Sequence, residues 1–201
     1  GETDALFAMG DQVGQGSSDR VLARLVRCGE LKSAALMGLA LERSGVPVAV
    51  LDPHEMDLVA SGDPLDANLS GLNREKVLAR FDQADVIVAP GFFGEDADGP
   101  ITLGRGGTDL TAVMFAHWLG AQRARLIKDV DGVYSDDPAK NPDAHRFDAL
   151  DYEAARKVSH GLVQDKAITR AKELDVVVEV AALGKGYATR IAAAVEKPAD
   201  A

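Results

Sequence analysis

Four short aliphatic runs set the strongest limit on how this chain can fold. They are VPVAVLD (46–52), ADVIVAPGFF (84–93), RARLIKDV (123–130) and DVVVEVAAL (175–183). Each is nearly continuous in apolar residues rather than alternating, the pattern of parallel strands covered on both faces. Parallel strands cannot be joined by tight hairpins and need long crossovers, usually helical. The intervening segments have that character. ELKSAALMGLALERSG (30–45) sets Leu31, Ala35, Leu39 and Leu41 towards one face and ends at Gly45, a suitable C-cap. NREKVLARFDQ (73–83) is amphipathic behind Asn73 as N-cap. DLTAVMFAHWLG (109–120) closes on Gly120, and DYEAARKVSHG (151–161) with VQDKAITRAKEL (163–174) forms a helical pair before the last run. The alternation predicts a three-layer α/β/α sandwich with a mostly parallel sheet. It is read as one domain over residues 1–195 with a short disordered tail, 196–201.

Composition narrows the function classes. The 201 residues are 46% hydrophobic and carry a net charge of −10, so a basic nucleic-acid footprint is not expected. No apolar run approaches the roughly 18 residues of a membrane span, and no membrane partner is expected. One cysteine, Cys28, rules out an intramolecular disulfide and is expected to pack half-buried. With no secretory signal visible, the chain is read as cytoplasmic.

Ligands in parallel α/β sheets bind at the carboxyl ends of the strands, and two loops there are unusual. The first, APGFFGEDADGPITLGRGGTD (89–109), brings Gly104, Gly106 and Gly107 to the start of a helix near Thr108. Glycines let a backbone approach a ligand closely, and a helix N-terminus offers free N–H groups and a partial positive charge. Arg105 adds a fork for a carboxylate or phosphate, and Asp109, in the first turn, could orient a cation or an ammonium group. The bland reading of this loop is a glycine-rich turn in which Asp109 only caps. The second, KDVDGVYSDDPAKNPDA (128–144), places Asp129 and Asp131 at a strand end, Gly132 at a turn and Tyr134 with a flat face suited to a purine. Its D-x-D-G start is a poor calcium loop, because Asn141 and Pro142 stand where a further acidic ligand is required.

LGRGGTDLTAV (103–113), followed by DVDGVYSDDP (129–138), resembles the amino-acid kinase superfamily and, within it, aspartokinase. RCGELKSAALMGLALERSGVP (27–47) is similar to the family's GE..SA helix, PGFFG (90–94) to its GFxG turn, and 145–180 to the segment closing its kinase domain. GETDAL (1–6) resembles the piece after the family's second strand. The resemblance implies an amino-acid kinase fold and an amino-acid site lined by Glu30, Phe92, Arg105 and Thr108, with Arg105 on the substrate α-carboxylate. It implies that Asp109 lies near the reacting groups, and that Lys128, Asp129 and Tyr134 line an ATP site whose loop Asp131 and Gly132 shape. ATP with Mg²⁺ would then phosphorylate the β-carboxylate of a small amino acid, aspartate, giving an acyl phosphate.

The chain departs from that pattern. The family's opening K-x-G-G strand and turn, whose lysine neutralises the transferring phosphoryl group, does not occur in it, nor do ACT regulatory domains. Lys128 stands where the family has a hydroxyl residue, and Ala139 where it often has arginine. The family's nucleotide-facing lysine aligns with Gly161, leaving Lys166 as a substitute for it. These 201 residues alone are therefore expected to turn over little or no aspartate. A homo-oligomer is expected, since a missing strand leaves sheet edges open. A non-catalytic amino-acid- or nucleotide-binding subunit is the other reading of the same residues.

Overall fold

The computed structural model describes residues 2–14, 16 and 18–193. The tail read as disordered lies outside them. The chain divides into two compact units, Gly1–Thr108 and Asp109–Ala201.

In the first unit two helices precede any strand. α1 spans Glu2–Val13 and α2 spans Asp19–Arg43. Ser18 caps α2 by accepting the Val21 N–H, and Gly45 follows its end at φ 76°, the left-handed residue that stops a helix. The face of α2 differs from the sequence expectation. Ala35 and Leu39 are exposed, and the buried positions are Ala23, Val26, Ala34 and Gly38. The reason is close approach, because a Cβ on Gly38 would lie 2.3 Å from Val50 Cγ2. Small residues rather than large ones therefore mark the packed side. Cys28 is exposed too, its thiol donating to the Arg24 carbonyl one turn back.

Beyond α2, β1 (Val48–Val50), β2 (Val59–Asp63) and β3 (Asp66–Gly71) lead to the short helix α3 (Arg74–Leu78). Asn73 caps α3 as expected, accepting the Lys76 N–H at 3.1 Å. Then come β4 (Val86–Val88), β5 (Phe93–Asp96) and β6 (Gly99–Thr102). β1 and β4 pair in parallel, Val48 opposite Val86. A separate sheet runs β3-β2-β5-β6, with two hairpins joined where Val59 meets Glu95 in parallel. Arginines at one-turn spacing along α2 grip the β5–β6 hairpin. Arg20 binds both oxygens of Asp96 at 2.9 and 2.7 Å, Arg24 reaches the Asp98 carbonyl, and Arg27 lies 3.9 Å from Glu95. The Arg20 hydrogen bond holds the Asp96 carboxyl down at about 2.

The second unit contains α4 (Gly107–Leu119, whose first two residues close the first unit), β7 (Ala124–Lys128) and β8 (Ala149–Leu150). α5 (Tyr152–Val158), α6 (Asp165–Glu173), β9 (Val178–Ala182) and β10 (Ala188–Ile191) complete it. Its sheet runs β7-β9-β10-β8, parallel at β7–β9 and β10–β8 and antiparallel at β9–β10. Val113, Leu126, Val163, Ile168, Val178 and Val180 form its core with Tyr152. The Tyr152 hydroxyl donates to the Val176 carbonyl at 2.9 Å, satisfying a polar tip that burial would otherwise strand. β7 is not covered on both faces: Ala124 and Leu126 are buried while Ile127 is 48% exposed. Arg123 and Arg125 on the open side pair with Glu179 instead. Among the described residues, no helix is long and apolar enough to cross a membrane.

Candidate functional site

The glycine loop ahead of α4 is built as its sequence suggests. Gly104 and Gly106 sit at φ 71° and 79°, and the Gly107 N–H closes a turn onto the Gly104 carbonyl at 3.0 Å. Side chains are strained in that backbone region, so two of the glycines are fixed by conformation. Gly107 is fixed by space, since a Cβ there would lie 2.7 Å from Leu103 Cβ and 3.0 Å from the Phe92 ring. Phe92 itself adopts φ 73°, which is unusual for an aromatic residue and worth about 1 kcal/mol or more of stored strain. Its carbonyl accepts the Leu103 N–H at 2.8 Å, tying the strained residue to the strand before the loop.

Glu30, Phe92, Arg105 and Thr108 line one cavity of about 620 Å³ in the first unit. Arg105, between the two left-handed glycines, is exposed there. Thr3, Asp4, Phe7 and Asp11 of α1 line the same cavity. Sequence reasoning did not single them out, although the spacing of 4, 7 and 11 along a helix puts them on one face. The wall thus carries one guanidinium and three carboxyl groups. Burial, and secondarily the Glu2 charge, push the Glu30 carboxyl above the ordinary carboxylate range. Such a lining suits a small ligand with a carboxylate and an ammonium group.

A second cavity, of about 540 Å³, lies in the second unit. Gly132 and Tyr134 line it from the loop after β7, and Ser159, His160 and Gly161 from the turn between α5 and α6. Gly132 permits close packing, since a Cβ there would lie 2.6 Å from Thr189 Oγ1. The Thr189 hydroxyl accepts the Val133 N–H and donates to the Phe147 carbonyl, fixing the loop to β10. Tyr134 donates to Asp131 Oδ1 at 2.8 Å, and that bond, with burial second, raises the phenol above its ordinary value. Further along, Asp136 accepts from Asn141, and Asp137 pairs with Lys140 at 2.9 Å. Both carboxyls are lowered by those partners, and Lys140 is raised by Asp137.

Asp109, expected near the reacting groups, and Lys128, expected in the ATP site, form an ion pair at 2.8 and 3.0 Å, with side chains 10% and 22% exposed. Asp109 also accepts the Gln164 N–H at 3.4 Å. The carboxylate therefore joins the start of α4, the end of β7 and the turn ahead of α6. Nineteen residues separate the pair, too far for a sequence pattern to reveal it. Asp129, exposed, and Asp131 and Lys166, half-buried, are not among the residues lining the second cavity. Among the described residues no group of three or more His, Cys, Asp or Glu could hold a metal ion.

The sequence matches the model of the amino acid kinase family over residues 3–182. It is 32% identical to an aspartokinase of Thermus thermophilus over 182 residues, covering 89% of this chain and 45% of that one. Against an aspartokinase of Helicobacter pylori it is 33% identical over 180 residues, 88% and 44% of the two chains. The fold superimposes on E. coli aspartokinase III in complex with aspartate and ADP, with a TM-score of 0.83 at 25% identity, over 97% of this chain and 46% of that one. The chain spans less than half the length of these relatives.

Proposed function

The chain belongs to the amino acid kinase family, and on that premise we propose that it supplies the amino-acid and nucleotide sites of an aspartate kinase. In this reading a β-carboxylate oxygen of aspartate attacks the γ-phosphorus of ATP, the bond to ADP breaks, and an acyl phosphate forms. The observation that carries it is the first cavity. Arg105, presented between two left-handed glycines, grips the α-carboxylate. The acidic groups Glu30, Asp4 and Asp11 complement the ammonium. Phe92 and Thr108 complete that wall. The purine is assigned to the second cavity, against Tyr134 and the Gly132 turn, while Asp129, Asp131 and Lys166 stay outside its lining. Magnesium would enter with the nucleotide and neutralise charge on its phosphates. Transfer of this kind relies on positioning and charge neutralisation. Lys128 is the cation assigned to the transferring group, and Asp109 positions it.

The closed Lys128–Asp109 pair favours a second reading, in which the chain binds both ligands without transferring phosphate. The comparison of ADP and aspartate binding with hydroxamate formation separates the two. Turnover abolished by Lys128→Ala supports transfer, and binding of both ligands without turnover supports the second reading. Arg105→Ala tests the amino-acid site itself. Aspartate affinity should fall by about 1–3 kcal/mol, the range for losing a charge-assisted hydrogen bond. Unchanged affinity by calorimetry removes Arg105 from the site. Self-association and a cytoplasmic location belong to the same reading. The first is supported by the β1–β4 pair, which among the described residues bonds to no third strand.

A further inference from the structure

A nucleotide carries its charge on the phosphates, yet the second cavity offers little to meet it. Its wall contributes the carboxylates Asp136 and Asp137, and only Lys140 and His160 can answer them with positive charge. Lys140 is already engaged with Asp137 at 2.9 Å. His160 is left as the cation-forming group of the wall, and its backbone explains how it is held. It adopts φ 46° directly after α5, turning the chain into Gly161 at φ 81°. Three bonds fix that turn. The Leu162 N–H reaches the Ser159 carbonyl, the Ser159 hydroxyl donates to Val163, and the Gln164 amide donates to the Gly161 carbonyl. A histidine spending backbone strain at the rim of a cavity, on a turn held from three sides, is placed rather than incidental.

We propose that His160 is a phosphate-contacting residue of this cavity, its imidazolium completing with Lys140 the positive side of an otherwise acidic wall. The inference rests on the reading of the cavity as the nucleotide site. Tyr134, Asp136, Asp137 and Lys140 line the same cavity as His160, and Asp136 interacts with it electrostatically. Tyr134 stays protonated over the neutral range because Asp131 and burial raise it, so it contributes no charge. The two carboxylates remain ionised because their partners lower them.

The test compares Mg·ADP with adenosine, which has the same base and no phosphate, by calorimetry at about pH 6 and about pH 8, either side of the usual histidine titration. Three variants are used. His160→Asn removes the charge while tolerating the left-handed backbone, His160→Lys keeps a charge at both pH values, and Tyr134→Ala probes the base. His160→Asn should bind Mg·ADP about fivefold more weakly than the parent at the lower pH, as for one exposed charge contact. The two should converge at the higher pH, adenosine should bind both equally, and His160→Lys should hold its affinity at both. Thermal unfolding of each variant controls for folding. Equal Mg·ADP affinity in the parent and His160→Asn at the lower pH overturns the proposal. So does an equal loss of adenosine and Mg·ADP. If Tyr134→Ala removes both ligands while the His160 variants keep them, the nucleotide reading stands and His160 falls. If the parent binds neither ligand, both fall.

Discussion

The two cavities are walled by different means. In the first, the backbone does the shaping. Phe92, Gly104 and Gly106 hold left-handed conformations, and Gly107 lets the loop lie against Leu103 and the Phe92 ring. In the second, apart from Gly132 and the left-handed turn at His160 and Gly161, local hydrogen bonds do it. Asp136, Asp137 and Asn141 accept or donate across exposed turns, and Gly161 has open space where a side chain would go. The contrast teaches that a steric wall tolerates almost no substitution, whereas a hydrogen-bonded wall loses one contact at a time.

A pair of glycine substitutions attacks that comparison most directly. Gly107→Val should destabilise the first unit by about 3 kcal/mol, the upper end for forced overpacking, because its neighbours there include backbone atoms of Phe92. Gly161→Ala meets only Gln164 Nε2 at 3.9 Å and is strained only by its φ of 81°, so about 1 kcal/mol is expected. Urea denaturation measures both, and equal losses would erase the distinction. Next in size is the ion pair. Lys128→Met leaves the Asp109 carboxylate mostly buried without its ammonium, for a loss of about 2 kcal/mol, within the range for a buried acceptor left without its donor. Asp109→Asn together with Lys128→Met should lose less than the sum of the single changes. Strict additivity would mean that the pair does not couple.

The smallest effect is a pH slope in the first cavity. Burial, then Glu2, hold the Glu30 carboxyl above its ordinary value. The folded state binds that proton more tightly than the unfolded chain. Its stabilisation is complete below the unfolded titration, near pH 4, and disappears as pH rises through the higher folded value. Glu30→Gln should remove this slope and leave the protein at least as stable as the parent at neutral pH. Parallel stability curves for the two proteins across that window would show that Glu30 is not desolvated.

What the sequence made legible follows the same division. The loop 104–107 announced itself, because three glycines around an arginine have few uses besides a close approach. The long apolar runs at 84–93 and 175–183 each contain the strand they suggested. Four hairpin strands of the first unit, β2, β3, β5 and β6, did not announce themselves. VASGD, DANLSG, FGED and GPIT are rich in Gly, Asp and Asn, and pairing rather than propensity makes them strands. The α1 residues of the first cavity stayed hidden because a cavity is assembled by tertiary contact. Phe92 was legible as a site residue, but its left-handed backbone was not, since that conformation runs against aromatic preference.

The bond from the Gln164 amide to Asp109 also makes the protein its own meter. That N–H shares its acceptor with Lys128. Any ligand that draws the lysine away leaves the full carboxylate to the amide, which then bonds more strongly and exchanges its hydrogen with solvent more slowly. A single backbone resonance thus reports the engagement of a side chain thirty-six positions earlier, with no label attached to either ligand or lysine.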